Sequence, residues 1–199
     1  MTYEIQHYPA ELIDVVQTDG QRVVIRPVLP QDHELLAEYF HDLSAEARCN
    51  RFLHPVSEPS SALLEQFTHV DYATHVGLIA EIVVDGREMV IGEACYARGS
   101  DPQSAEFALS VAHSWQRTGL AKLMLAKLEG RAAAAGIRQI VGEALATNEG
   151  MLSLARKTGF AISKSLGAGG VMRLEKALAP RAAVAAQPSP QVDNVGVRC

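Results

Sequence analysis

The sequence predicts an α+β domain, a mixed and mostly antiparallel sheet flanked by helices. Three observations predict it. Runs of strand length rich in β-branched residues occupy 21–27, 75–84 and 89–98, bounded by turn residues. Between the first and second run, apolar residues recur at helical spacing in three short segments. After the third run the pattern alternates strand, helix, strand, helix, and closes on two strands.

Each element has a local cause. Residues 1–20 read as an extended lead-in, with Tyr8, Pro9, Leu12 and Ile13 packing on the domain and Asp19-Gly20 turning the chain. The first strand is 21–27, QRVVIRP. Pro30 opens a helix with Leu35, Leu36, Tyr39 and Phe40 on one face. Ser44 caps a second helix carrying Arg48, Arg51 and Phe52, and Ser60 or Ser61 caps a third with Leu63, Leu64 and Phe67 inward. Strands 75–84 and 89–98 flank the turn Asp85-Gly86 and read as an antiparallel pair. Loop 99–103 leads to strand 105–111. A helix over 119–135 ends at the capping Gly136. Strand 137–145, helix 148–158 stopped by Gly159, and strands 160–164 and 171–174 about the turn 167–170 complete the order. From Ala179 the chain turns to Ala, Pro, Gln, Ser and Val without periodicity and reads as a disordered tail. The expected division is a lead-in 1–20, a domain 21–178 and a tail 179–199.

Composition bounds the function. At 199 residues and 48% apolar, the chain can enclose one full core. A net charge of −5 argues against nucleic-acid binding by overall attraction. Arg117, Lys122, Lys127 and Arg131 nevertheless cluster where a phosphate-rich ligand needs cations. The three cysteines, Cys49, Cys95 and Cys199, are odd in number and far apart, which disfavours a disulfide framework or structural zinc. Cys95 lies in an apolar strand and reads as a core residue. The first residues lack the basic and apolar regions of a secretory signal, and no apolar run reaches membrane-spanning length, so no membrane is expected and a reducing cytoplasm is the expected location. The histidines form no HExxH or other tight pair, so no metal is expected. Hydrolase, nucleoside triphosphatase and dinucleotide dehydrogenase are disfavoured by the absence of G-x-S-x-G, a P-loop and G-x-G-x-x-G.

The most informative stretch is 105–121, AEFALSVAHSWQRTGLA. A strand, a loop of small residues and a helix start present several free N–H groups to an anion. The spacing Gln116-x-x-Gly119-x-Ala121 resembles the pyrophosphate loop of the GNAT acyltransferases, which bind acyl-coenzyme A. A second segment, 148–160, resembles that family's Asn-containing helix ending in Gly-Phe. A third set is similar to the acyltransferase module of bacterial protein lysine acetyltransferases. It comprises Tyr8-Pro9-Ala10-Glu11-Leu12, Asp19-Gly20, Ile25-Arg26-Pro27, Pro30-x-Asp32, Leu43-Ser44, Arg51-Phe52, Ala105-Glu106-Phe107 and Gly142-Glu143.

The resemblance implies a GNAT-like sheet splayed at an acyl-CoA cleft, with acetyl-CoA as cosubstrate. Gln116, Arg117, Thr118, Gly119, Leu120, Ala121 and Lys122 would then hold the pyrophosphate, and Asn148 would cap its helix and bond the cofactor arm. The backbone N–H of Val111 is the candidate to polarise the thioester carbonyl. Trp115 is expected to pack. Many members carry a tyrosine where this chain has Ala155, so the group that protonates the thiolate is unassigned.

Glu106 is the catalytic candidate. A lysine amine, with pKa near ~10.4, must lose a proton before attacking a thioester, and the matching protein acetyltransferases use the glutamate of this strand as base. Flanking Ala105, Phe107 and Ala108 are expected to supply apolar surroundings. Glu143 ranks second, with Glu81 and Glu93 as further rivals; His69, Asp71 and Tyr72 lie where an acceptor could enter. The resulting expectation is acetyl transfer to a primary amine in a ternary complex, a protein lysine being favoured. The alternatives are a polyamine, amino acid or amino sugar as acceptor, or a module that senses acyl-CoA without turnover. Monomer and homodimer both stay open.

Overall fold

Eight strands form one sheet in the order β1-β2-β3-β4-β5-β6-β8-β7. They are β1 (Asp14–Thr18), β2 (Gln21–Pro27), β3 (His75–Val84), β4 (Arg87–Arg98), β5 (Ser104–Val111), β6 (Gln139–Leu145), β7 (Ala161–Lys164) and β8 (Val171–Ala177). The helices are α1 (His33–Asp42), α2 (Ala45–Phe52), α3 (Ser61–Thr68), α4 (Leu120–Ala134) and α5 (Glu149–Lys157). This computed structural model describes residues 8–165 and 169–179. Among neighbouring strands only β5 and β6 run parallel; the other pairs are antiparallel.

The described part of the lead-in is not simply extended: Ala10–Leu12 form a 3-10 turn, Leu12 is buried while Ile13 is exposed, and residues 14–18 do more than pack. They form β1, the edge strand, paired with β2 from Asp14↔Ile25 to Thr18↔Gln21. Asp19 and Gly20 make that hairpin with φ of +50° and +76°, and Asp85 and Gly86 repeat the geometry at +50° and +78° between β3 and β4. Positive φ at both central residues is the turn that matches strand twist. Other strand ends move by a few residues because ladder partners set them: β8 runs on to Ala177 opposite Gln139. Of the expected tail, only Ala179 falls among the described residues.

Two apolar clusters separate the faces. On one, Leu36, Tyr39 and Phe40 of α1 pack with Leu64, Val28 and Ile79. On the other, Leu120, Met124, Leu125 and Leu128 of α4 pack with Ile91, Tyr96, Phe107 and Leu109. Met124 and Leu128 are fully buried, and each such side chain contributes ~1.5–3 kcal/mol. Side-chain caps start the helices. Ser44 accepts from Ala47 N at 3.1 Å, Ser60 from Leu63 N at 3.2 Å, and Asn148 from Met151 N at 3.0 Å.

Candidate functional site

The site follows from one interrupted ladder. β5 and β6 pair only at Ser104↔Gln139, Ala105↔Ile140 and Glu106↔Val141. Both strands continue beyond that point, to Val111 and Leu145. They therefore part toward their carboxyl ends, and each presents backbone amides to the opening. Helices α4 and α5 both begin just beyond these ends. At the foot of the opening Phe107 lies on Gly142: a Cβ there would sit 2.5 Å from its ring. Phe160 adds a ring 5.2 Å from that of Phe107.

Val111 lines the opening. Ala112 donates its N–H to the Ile91 carbonyl at 2.9 Å, so ladder alternation turns the Val111 N–H away from β4. The Val111 carbonyl accepts from Gln116 Nε2 at 3.3 Å, which folds the loop back on the strand. Thr118 Oγ1 donates to the Trp115 carbonyl at 2.7 Å. Trp115 packs half-buried against the α4 core, as expected. Arg117 and Gly119 take left-handed backbone at φ +63° and +94°. Gly119 is required by that conformation and not by crowding, since a Cβ would meet nothing within 4 Å.

The first bond of α4 runs from Leu123 N to the Gly119 carbonyl at 3.1 Å. The N–H groups of Ala121 and Lys122 precede it and lack intrahelical acceptors. The Arg117 and Lys122 side chains are exposed at this end, and Leu120 is buried. An anion fits here on three grounds: free amides, the positive end of a fifteen-residue helix, and open space above Gly119. The wider basic cluster does not assemble. Lys127 pairs with Asp14 at 3.0 Å, and Arg131 donates to the Tyr72 carbonyl at 2.8 Å.

Across the opening, half-buried Asn148 spends its Oδ1 on the α5 cap. Ala155 is 1% exposed within the core, and its carbonyl accepts from Phe160 N at 2.9 Å. A larger side chain there meets packed core.

The four candidate carboxylates have different surroundings. Glu106 is exposed, at the last residue pair before the strands part. Of its three expected apolar neighbours only Ala108 shares its face, because Ala105 and Phe107 point to the opposite, buried one. Glu143 is exposed on the same face as Glu106 and accepts from Ser165 Oγ at 2.7 Å. Glu81 is buried and held by Arg26, which also grips Asp32 at 2.7 and 2.8 Å. Glu93 is buried and paired with Arg51 of α2.

Of the strand-entry residues, His69 is exposed, and Asp71 and Tyr72 are engaged in hydrogen bonds. Asp71 accepts from the N–H groups of Ala73, Thr74 and His75 and from Thr74 Oγ1 at 2.6 Å. Burial works to raise its pKa, but these hydrogen bonds prevail and hold it at about 2. Tyr72 is buried with its hydroxyl on the Val28 carbonyl. Among the described residues, no group of His, Cys, Asp or Glu side chains is placed to hold a metal ion.

Three residues at the site escaped the sequence reading as a group. Ser110 donates to Glu93 at 2.8 Å, Tyr39 bonds Ser110 at 2.9 Å, and Arg51 holds Glu93. A signal existed for one of them: Ser110 shares the strand parity of Glu106 and so its face.

Residues 22–161 match the family model "Acetyltransferase (GNAT) domain". The chain is 32% identical over 142 residues to an acetyltransferase of Pseudomonas aeruginosa, covering 71% of this chain and 76% of that one. The GNAT domain of S. lividans PAT superposes with a TM-score of 0.78 at 29% identity, covering 86% of this chain and all of that one. YncA of Salmonella typhimurium, solved with its cofactor acetyl-CoA, shares the fold with a TM-score of 0.65 at 18% identity, over 83% of this chain and 99% of that one. This chain belongs to the GNAT acetyltransferase family.

Proposed function

We propose that this GNAT acetyltransferase moves an acetyl group from acetyl-CoA to a primary amine by direct attack in a ternary complex, with a protein lysine as the favoured acceptor. The observation that carries the reading is the parting of β5 from β6 beside the loop 116–119 and the amino end of α4. Bound acetyl-CoA supplies the acetyl group as an activated thioester. The chain's own groups do the rest. Gln116, Arg117, Thr118, Gly119, Leu120, Ala121 and Lys122 hold the pyrophosphate, chiefly through backbone amides and the helix end. Asn148 faces the cofactor arm from the α5 side. The Val111 N–H polarises the thioester carbonyl. Glu106 takes the ammonium proton, directly or through water, so that the free amine attacks.

The choice of acceptor rests on exposure. Glu106 and Glu143 stand on an open face, which a lysine projecting from a protein surface reaches easily. A small amine would find few enclosing contacts there, and burial of most of the ligand is what small-molecule sites provide.

Isothermal titration with acetyl-CoA tests the cofactor half. Wild type is expected to bind with micromolar-range affinity, and Gly119→Glu, which puts a bulky anion in the loop, to lose binding. Absence of wild-type binding sinks the reading. Acetylation of peptides measured against free polyamines and amino sugars then tests the acceptor, and faster turnover of free amines would overturn the lysine preference.

A further inference from the structure

Tyr39, Ser110, Glu93 and Arg51 form one hydrogen-bond chain beneath the opening, and its direction is determined by the groups in it. Arg51 donates to both oxygens of Glu93, which therefore takes part in the chain as an acceptor. Ser110 must then give its single proton to Glu93 Oε1, at 2.8 Å. Tyr39 must in turn donate to Ser110 Oγ, at 2.9 Å. Burial first, then the charge of Glu93, raises the Tyr39 hydroxyl and keeps its proton in place.

The chain is also sealed. The Arg51 and Glu93 side chains are each only 7% exposed. Arg51 Nε bonds one Glu93 oxygen and Nη2 the other, the latter at 3.2 Å. The guanidinium carbon lies 5.1 Å from the Phe67 ring centre and 5.3 Å from that of Phe52, and Nη2 reaches Cys95 Sγ at 3.7 Å. A proton placed on Glu93 would break a buried ion pair and leave Arg51 uncompensated.

The carboxylate thus joins four elements: α1 through Tyr39, α2 through Arg51, its own β4, and β5 through Ser110. Ser110 immediately precedes Val111, where β5 turns its amide to the opening. Helix α2 lies against both β5 and β6, the two strands that part.

We propose that Glu93 is a positioning residue for the acceptor side and not the proton acceptor of the reaction: with Arg51 it clamps α2 over the parted strands, and through Ser110 it sets the course of β5 into Val111. The catalytic part of this inference rests on the acetyl-transfer reading above; the clamp itself does not.

The test compares full-length wild type, Glu93→Gln, Ser110→Ala, Arg51→Lys and Glu106→Gln. Amide hydrogen exchange, read by mass spectrometry without substrate, reports the clamp. Exchange across Ala45–Phe52 is expected to rise about tenfold in Glu93→Gln and less in Ser110→Ala, with α4 changed less than about twofold. Steady-state rates report the positioning. In Ser110→Ala the amine KM is expected to rise about tenfold and kcat to fall with the displaced Val111 amide, while acetyl-CoA affinity, set mainly by the loop and α4, holds within about twofold. Arg51→Lys keeps the charge but loses the fork and should fall between wild type and Glu93→Gln. At saturating amine, kcat should fall far less in Glu93→Gln than in Glu106→Gln.

A Glu93→Gln enzyme that loses kcat at saturating amine, beside a Glu106→Gln enzyme that keeps it, would make Glu93 the base and overturn the proposal. Unchanged α2 exchange would overturn it independently of turnover. Should Glu93→Gln fail to fold, Ser110→Ala carries both measurements. Should wild type transfer no acetyl group, the proposed function fails, and the exchange data still decide the clamp.

Discussion

The two sides of the opening are built by different means. On the α4 side the working parts are backbone: left-handed Arg117 and Gly119, the amides of Ala121 and Lys122, and a carbonyl of Val111 folded onto Gln116. Their partners lie a few residues away in sequence. On the α1–α2 side the working parts are side chains joined over long distances: Arg51 reaches Glu93 across 42 positions, and Tyr39 reaches Ser110 across 71. A backbone cradle suits a cosubstrate whose pyrophosphate offers charge and little shape. A side-chain wall can be tuned to one acceptor without disturbing the cradle. The difference predicts separable mutational effects.

Glu106→Gln should give the largest effect, lowering kcat about 10²–10⁴-fold with acetyl-CoA affinity nearly unchanged. Initial rates and titration check this, and a matching loss of acetyl-CoA binding would break the division between the two sides. Gly119→Ala should do the reverse. A side chain forced into φ +94° costs about 1–2 kcal/mol, so acetyl-CoA binding should weaken roughly 5–30-fold while kcat at saturation holds.

Gly142→Ala probes the floor shared by both sides. Its Cβ would lie 2.5 Å from the Phe107 ring, so overpacking should cost about 1–3 kcal/mol, seen as a lowered Tm. Adding Phe107→Leu should restore much of it; no recovery would mean that the contact is not the cause. The caps offer a matched pair. Ser44→Ala on α2 and Asn148→Ala on α5 should each cost about 1 kcal/mol of stability. The first should raise the amine KM and the second the acetyl-CoA KM, and an exchange of these effects would reverse the assignment of sides.

The smallest effect lies outside both sides. Asp71, held at about 2, has a folded pKa below its unfolded value near ~3.9. Its contribution is complete above that value and is lost as pH falls through about 2. Because Asp71 is exposed, the amplitude should stay below about 1 kcal/mol. Denaturation curves of wild type and Asp71→Asn should run parallel above pH ~5 and converge in acid.

Legibility divides along the same line. Ser44, Ser60 and Asn148 announced three helix starts because a cap acts over three residues. Asp85-Gly86 announced its hairpin, whereas the left-handed backbone at Gly119 was visible only in the structure. Edge strand β1 was harder to read: DVVQT is short, and only pairing with β2 makes it part of the sheet. The basic cluster misled because Lys127 and Arg131 found Asp14 and the Tyr72 carbonyl, neither near them in sequence. Resemblance ranked Glu106 first and Glu143 second, but the chain alone did not show that Glu81 and Glu93 are buried in ion pairs, since all four sit in strand-like sequence with apolar neighbours.

The sequence by itself determined the order of elements from β2 onward, the α+β class, the loop 116–119 and the start of α4, because each depends on turns, caps and periodicities that act over a few residues. Only the tertiary structure decided where β5 leaves β6, which glutamate is sealed against Arg51 and which stands open at the parting. Those outcomes depend on register and on which side chains share a buried volume, and burial is a property of the whole packed chain.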